Sequence, residues 1–177
     1  MEGNQYQPNA GEFEDMPTWE VFFCLSRAYI EASTCLCNAM IEDDFSKQYS
    51  STRVILHLAR QGLELFFKGA IFHKTSALSR NGHNIDKLLS EYLNIYSADQ
   101  FHFKVPSAFS LRNELDLFPG LVDSFHLTLD QRHRYPMDLK GQSFATPELF
   151  EPKNFLLEIE KLSAALMIIE FCHIRGK

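Results

Sequence analysis

From Pro17 onward the apolar residues fall into runs with helical spacing. Phe22, Leu25, Tyr29, Ala32, Leu36 and Met40 recur every three or four positions, the repeat that places side chains on one side of an α-helix. Phe23, Ile30, Cys37 and Ile41 widen this stripe, so the first helix is expected to touch more than one neighbour. Pro17 suits the first turn, where its missing N–H would have no partner anyway. A second helix is expected from the hydroxyl-rich Ser50-Ser51-Thr52 to about Lys74. Its core stripe is Ile55, Ala59, Leu63, Phe66, Ala70 and Ile71, with Leu56, Phe67 and Phe72 alongside. Asn81-Gly82 then signals a turn, and Asn84 can cap a third helix with Ile85, Leu88, Leu89, Tyr92 and Tyr96 inward.

The pattern weakens over residues 97–150. Phe101, Phe103 and Val105 alternate as in a strand, but Pro106 follows and no partner strand is evident, so an irregular connection is expected. A short helix is expected over about 107–116, ended by Pro119-Gly120, and another near 121–131; Pro136 to Pro152 reads as a surface loop. A last helix from Pro152 to Arg175 directs Leu156, Ile159, Leu162, Leu166, Ile169 and Cys172 inward, with Gly176 just past its end. The predicted fold is all-α: an antiparallel up-and-down helical bundle of about five helices. Residues 1–16 read as a flexible acidic leader, and residues 17–177 as a single domain.

Composition sharpens this picture in three ways. Sixteen Phe in 177 residues predict a dense aromatic core or interface. Glu2, Glu12, Glu14 and Asp15 carry most of the net charge of −6; without them 17 Lys and Arg stand against 19 Asp and Glu. So balanced a body offers no broad basic surface, and any anion site must be local. Cys24, Cys35, Cys37 and Cys172 lack the paired spacing of a zinc site and read as small buried hydrophobes. No apolar run is long enough to span a bilayer and no secretory leader is evident, so a cytoplasmic protein with no membrane partner is expected.

Candidate chemistry lies in three places. His57, Gln61, Glu64 and Lys68 form a polar stripe on an otherwise apolar helix. Glu64 precedes Lys68 by four residues, an orientation that contributes about 0.2–0.5 kcal/mol when exposed. Two readings stay open: a solvated face with a routine ion pair, or a stripe half-covered by phenylalanines whose charges need partners on the next helix. His83, at the expected start of the third helix, is either a capping or packing residue or a ligand contact. Arg132, His133, Arg134 and Tyr135 are consecutive and precede Pro136. Guanidinium groups grip phosphate and Tyr can stack on a base; alternatively the arginines pair with Asp130 or Asp138. There is no Gly-rich phosphate loop, nucleophile elbow or His-Glu-x-x-His helix, and His126, His133 and Asp130 fit no common metal spacing. Neither cofactor nor metal is expected, and no residue is assigned a catalytic role.

The order Gln61-x-x-Glu64-x-x-x-Lys68, then Gly82-His83-Asn84-Ile85-x-x-Leu88-Leu89, then Arg134-Tyr135-Pro136 before a long last helix resembles the HEPN family over about residues 50–175. The resemblance implies a bundle that pairs into a symmetric homodimer, with polar residues gathered in an interhelical cleft. Members include ribonucleases of toxin–antitoxin and phage-defence systems and non-catalytic nucleotide- or RNA-binding partners. The ribonucleases carry an Arg followed after about four to six residues by a His. Here Arg53 and His57 are one residue too close, and Arg132 and His133 are adjacent. The expected function is therefore a non-catalytic or weakly catalytic domain binding a nucleotide or RNA through Arg132, Arg134, Tyr135, His57, Gln61, Glu64, Lys68 and His83. One alternative is a dimerisation or protein-interaction module without a small ligand. Another is a metal-independent ribonuclease with a displaced histidine such as His57, His83 or His133.

Overall fold

The computed structural model describes residues 11–42, 49–111, 119–138, 140–144 and 150–176. Small residues set its central helix pair, α1 (Thr18–Glu42) and α2 (Tyr49–Thr75). Ser26 Oγ of α1 donates to the Gly62 carbonyl at 2.7 Å, and Ser33 Oγ donates to the Ile55 carbonyl at 2.9 Å. A Cβ on Gly62 would come within 2.6 Å of Ile30 Cγ1, and one on Gly69 within 2.8 Å of Phe22 Cβ. The helices thus touch backbone to backbone, and the rising order Phe22, Ser26, Ser33 against the falling order Gly69, Gly62, Ile55 makes them antiparallel.

This packing corrects the expected face of α1. Phe23, Ser26, Ile30, Ser33, Cys37 and Met40 are buried, whereas Ala32 and Leu36 face solvent and Phe22, Leu25 and Tyr29 are half-buried. Hydrophobicity favoured the neighbouring stripe because Ser26 and Ser33 score as polar; their hydroxyls are satisfied by α2 carbonyls, so they pack as small core residues. The α2 stripe lies inward as expected, with Ile55, Ala59, Leu63, Phe66, Phe67, Ala70 and Ile71 all buried.

Gly82, at φ +57°, turns the chain back along α2. Asn84 caps α3 (Ile85–Ile95) by accepting from the Lys87 amide at 3.0 Å. Because His83 lies against Glu64 and Tyr96 donates to the Ala70 carbonyl, α3 runs in the same direction as the second half of α2. Two short 3-10 turns, Asp99–Phe101 and Ser107–Phe109, carry the irregular connection that follows. Phe103 stacks on Phe67 there, at 5.7 Å between ring centroids, within an aromatic cluster of Phe66, Phe67, Tyr92, Tyr96 and Phe101. The helix expected over 107–116 is this single turn up to Phe109; residues 112–118 lie outside the described residues.

Pro119 begins α4 (Pro119–Arg134) rather than ending a helix, which suits a residue without an N–H. Arg132, His133 and Arg134 consequently occupy the last helical turn instead of a loop. Asp138 accepts from the amides of Lys140 and Gln142, both at 2.8 Å, and so caps its own turn around Gly141 rather than serving an arginine. The last helix, α5 (Pro152–Ile168), starts with Glu151 as its cap and ends in a π-helical turn, Ile169–Ile174. It packs antiparallel to α1: Cys37 meets the Pro152 carbonyl, Arg27 pairs with Glu170, and Arg175 pairs with Glu20. The wider turn shifts the inward register, so Glu170 and Ile174 are buried and Cys172, expected inside, is exposed. Among the cysteines Cys37 is buried, Cys24 intermediate and Cys35 exposed. One core from Phe23 to Ile174 unites α1, α2, α3 and α5, and α4 joins them through buried polar contacts, Asp130 with Arg60 and His126 with Asp86, to complete an all-α bundle.

Candidate functional site

The polar stripe of α2 is enclosed. Glu64 is 1% exposed and is held by Lys68 Nζ at 2.7 Å and by His83 Nδ1 at 2.9 and 3.0 Å. Arg60 Nη1 lies 4.0 Å from the same carboxylate. Of the two readings of this stripe, the enclosed one holds, with the partner supplied by the turn before α3. The His83 ring stays 52% exposed and Lys68 is 19% exposed, so this carboxylate sits beneath two groups that reach solvent.

Arg60 continues the stripe toward α4. It is 1% exposed, donates to the His83 carbonyl, and lies 3.4 Å from Asp130. Burial holds its guanidinium below the usual value, and the charges of Glu64 and Asp130 oppose that shift. Asp130 also binds the Arg134 guanidinium. Tyr135 follows, 53% exposed, with the Arg134 guanidinium carbon 5.9 Å from its ring centroid, and its carbonyl accepts from Arg53. Arg53, His57, Arg60, Glu64 and Lys68 thus line one strip of α2, with Asp130 and Arg134 of α4 and the following Tyr135 along it. The alternative that assigned Arg134 to Asp130 is the observed one.

Not every expected residue joins this strip. Arg132 stands about 200° around α4 from Arg134 and lines a separate cleft of about 510 Å³ with His133, Phe125, Phe150 and Phe155. The two arginines therefore do not form one fork. Gln61 is half-buried on α2 beside the strip. His57 is half-buried as well; burial first, and then the charge of Arg134, holds its imidazole below the ordinary value. His133 is buried and pushed down to about 3, by burial and then by Arg60, His57, Arg132 and Arg53. Both histidines stay neutral near pH 7 and report a positive local field.

Sequence reasoning missed Arg60, which hid among apolar neighbours, and a second histidine–carboxylate pair. His126 Nε2 of α4 lies 3.0 Å from Asp86 Oδ2 of α3, the two being 3% and 0% exposed. Asp86 also accepts from Ser110 Oγ and from the Leu111 amide at 2.7 Å. Burial opposes its ionisation, but these hydrogen bonds prevail and hold the carboxyl below its usual range. The signal that could have found the pair is an acid in the first turn of an amphipathic helix, on the inward side between Ile85 and Leu89.

Among the described residues no group of three or more His, Cys, Asp and Glu is placed to hold a metal ion, and no helix is long and apolar enough to cross a membrane. No protein-family model, curated protein or solved structure matches the chain.

Proposed function

We propose that the chain is a HEPN-like domain that binds RNA, or a nucleotide, along the strip between α2 and α4. The carrying observation is the local charge: Arg53, Arg60, Lys68 and Arg134 stand along the strip with Glu64 and Asp130 in a chain of net charge −6. Such an excess suits phosphate. From Arg53 to Lys68 the strip extends about 22 Å along the helix axis, which favours a strand of RNA over a single nucleotide. Arg134 is the exposed guanidinium for a phosphate, Tyr135 the exposed ring for a base, and Lys68 the cation at the far end. A mobility shift of labelled single-stranded RNA tests this. Arg134→Ala should weaken binding about tenfold across sequences and lower the salt slope by about one, with thermal stability unchanged because Arg60 still faces Asp130. Unaltered affinity removes the assignment.

A dimerisation role is favoured by the outward face of α1. Half-buried Leu25 and exposed Ala28, Ala32, Cys35, Leu36 and Ala39 form an uncharged stripe. About a two-fold axis at Ala32, Leu25 would oppose Ala39 and Leu36 would oppose Ala28, large against small, as a self-complementary interface requires. The displaced-histidine ribonuclease is favoured by His83, whose ring is oriented by Glu64 and reaches solvent.

A further inference from the structure

On the side of α4 away from Arg134, the cleft of about 510 Å³ opens between α4 and the start of α5. RNA docking along the α2–α4 strip makes no use of it. A hollow of this size matches a small-molecule site. Its floor is buried and apolar: Leu56, Leu129 and Phe155 line it and are 4%, 5% and 6% exposed. Half-buried Phe125 and Phe150 add two further rings. Phe150 and Phe155 stand 5.2 Å apart between centroids, and Phe109 meets Phe155 edge-on at 6.1 Å, so packing behind the cleft holds the ring wall in place.

One face of α4 supplies both an apolar and a charged wall. Phe125, Thr128, Leu129 and Arg132 recur at offsets of zero, three, four and seven, the repeat of a single helix face. Phe125 and Arg132 are separated by about 10 Å along the axis, with a ring at one end and a guanidinium at the other. The charge at that second end is positive. His133, which also lines the cleft, is held neutral by burial and then by Arg60, His57, Arg132 and Arg53. The acids of the wall are offset: Glu151 accepts from the Asn154 amide at 2.7 Å as the cap of α5, and Glu158 stands where the cleft adjoins a second hollow lined by Lys104 and Lys161. A guanidinium carries five N–H donors in a planar fork, so Arg132 can take both oxygens of a carboxylate alongside its contacts within the protein.

We infer that the α4–α5 cleft is a binding site for a small organic acid with a planar aromatic body. Its carboxylate meets Arg132, and its ring system lies among Phe125, Phe150 and Phe155. The span of about 10 Å between the two ends suits one fused aromatic system bearing one acid group. An aliphatic acid would forgo the ring contacts, and an amine would meet Arg132 with like charge.

The test is calorimetric titration of the full chain with naphthylacetate, naphthylacetamide and naphthylethylamine, which share one ring system and differ in charge. The acid should bind at one site with a sub-millimolar Kd, and the amide at least about tenfold more weakly, because it lacks the charge-assisted pair. Arg132→Gln should bring acid and amide to the same affinity, and the amide's retained binding would show that the cleft is intact. Thr128→Trp places an indole in the cleft from an exposed position and should abolish binding of both. Should Arg132→Gln fail to fold, the three wild-type titrations and Thr128→Trp decide. No binding of the acid at millimolar concentration overturns the proposal, as does equal wild-type affinity for acid and amide, which would leave an apolar hollow without charge recognition. Tighter binding of the amine overturns it in favour of Glu158, and binding of the acid that survives Thr128→Trp overturns it by placing the ligand elsewhere.

Discussion

His133 shows how a single side chain couples this fold to pH. Burial and four basic neighbours push it down to about 3 in the folded chain, against an ordinary 6.5. The unfolded chain therefore takes up a proton as pH falls below about 6.5, while the folded chain stays neutral until about 3. Stability from this group is complete above 6.5 and declines through that window. Between pH 7.5 and 5 the loss should be about 2 kcal/mol, and thermal melts at the two values should separate accordingly. His133→Gln should bring the melts together; an unchanged separation would assign the pH dependence to other groups. Glu64 illustrates a different arrangement. Its carboxylate is buried but met by Lys68, His83 and Arg60, so its oxygens have polar partners in place of water.

At the scale of elements, the α1–α2 contact depends on what its residues lack. Gly62→Ala would improve helix propensity by up to about 1 kcal/mol. The new methyl, however, would stand 2.6 Å from Ile30 Cγ1 and 2.9 Å from the Ser26 carbonyl oxygen, and backbone cannot yield as a side-chain tip can. Overpacking should win, with a net destabilisation of about 1–3 kcal/mol in chemical denaturation; a stabilised variant would show that the helices can separate without cost. The same reasoning explains which parts of the elements were legible beforehand. α2 and α3 announce their inward faces because nearly all their core residues are apolar. α1 does not, because two of its core positions are serines, and the end of α5 does not, because a π turn changes the repeat at Ile169 without altering its composition.

On the scale of the whole molecule, Ala32 and Leu36 of the stripe first read as the core of α1 face solvent, and the proposed dimerisation role would set them against a second copy of the chain. Light scattering should give a dimer mass, and Leu36→Glu should yield a folded monomer, since Leu36 is 43% exposed in the single chain and its replacement disturbs no core contact. A wild-type monomer at all concentrations would remove this surface from consideration. The sequence by itself determined the all-α class, the extents of α2 and α3, the turn at Asn81-Gly82 and the place of Glu64 and Lys68 on one polar stripe of α2. Each of these follows from local periodicity, capping chemistry or a glycine's backbone freedom, which the chain carries within a few residues. Tertiary structure alone decided that Arg132 and Arg134 part company, that Arg60 is the buried centre of the charge cluster, and that Asp86 meets His126 beside His83. Those outcomes depend on which helices touch and through which faces. Such contacts join residues as far apart as Arg60 and Asp130, and no short-range pattern encodes them.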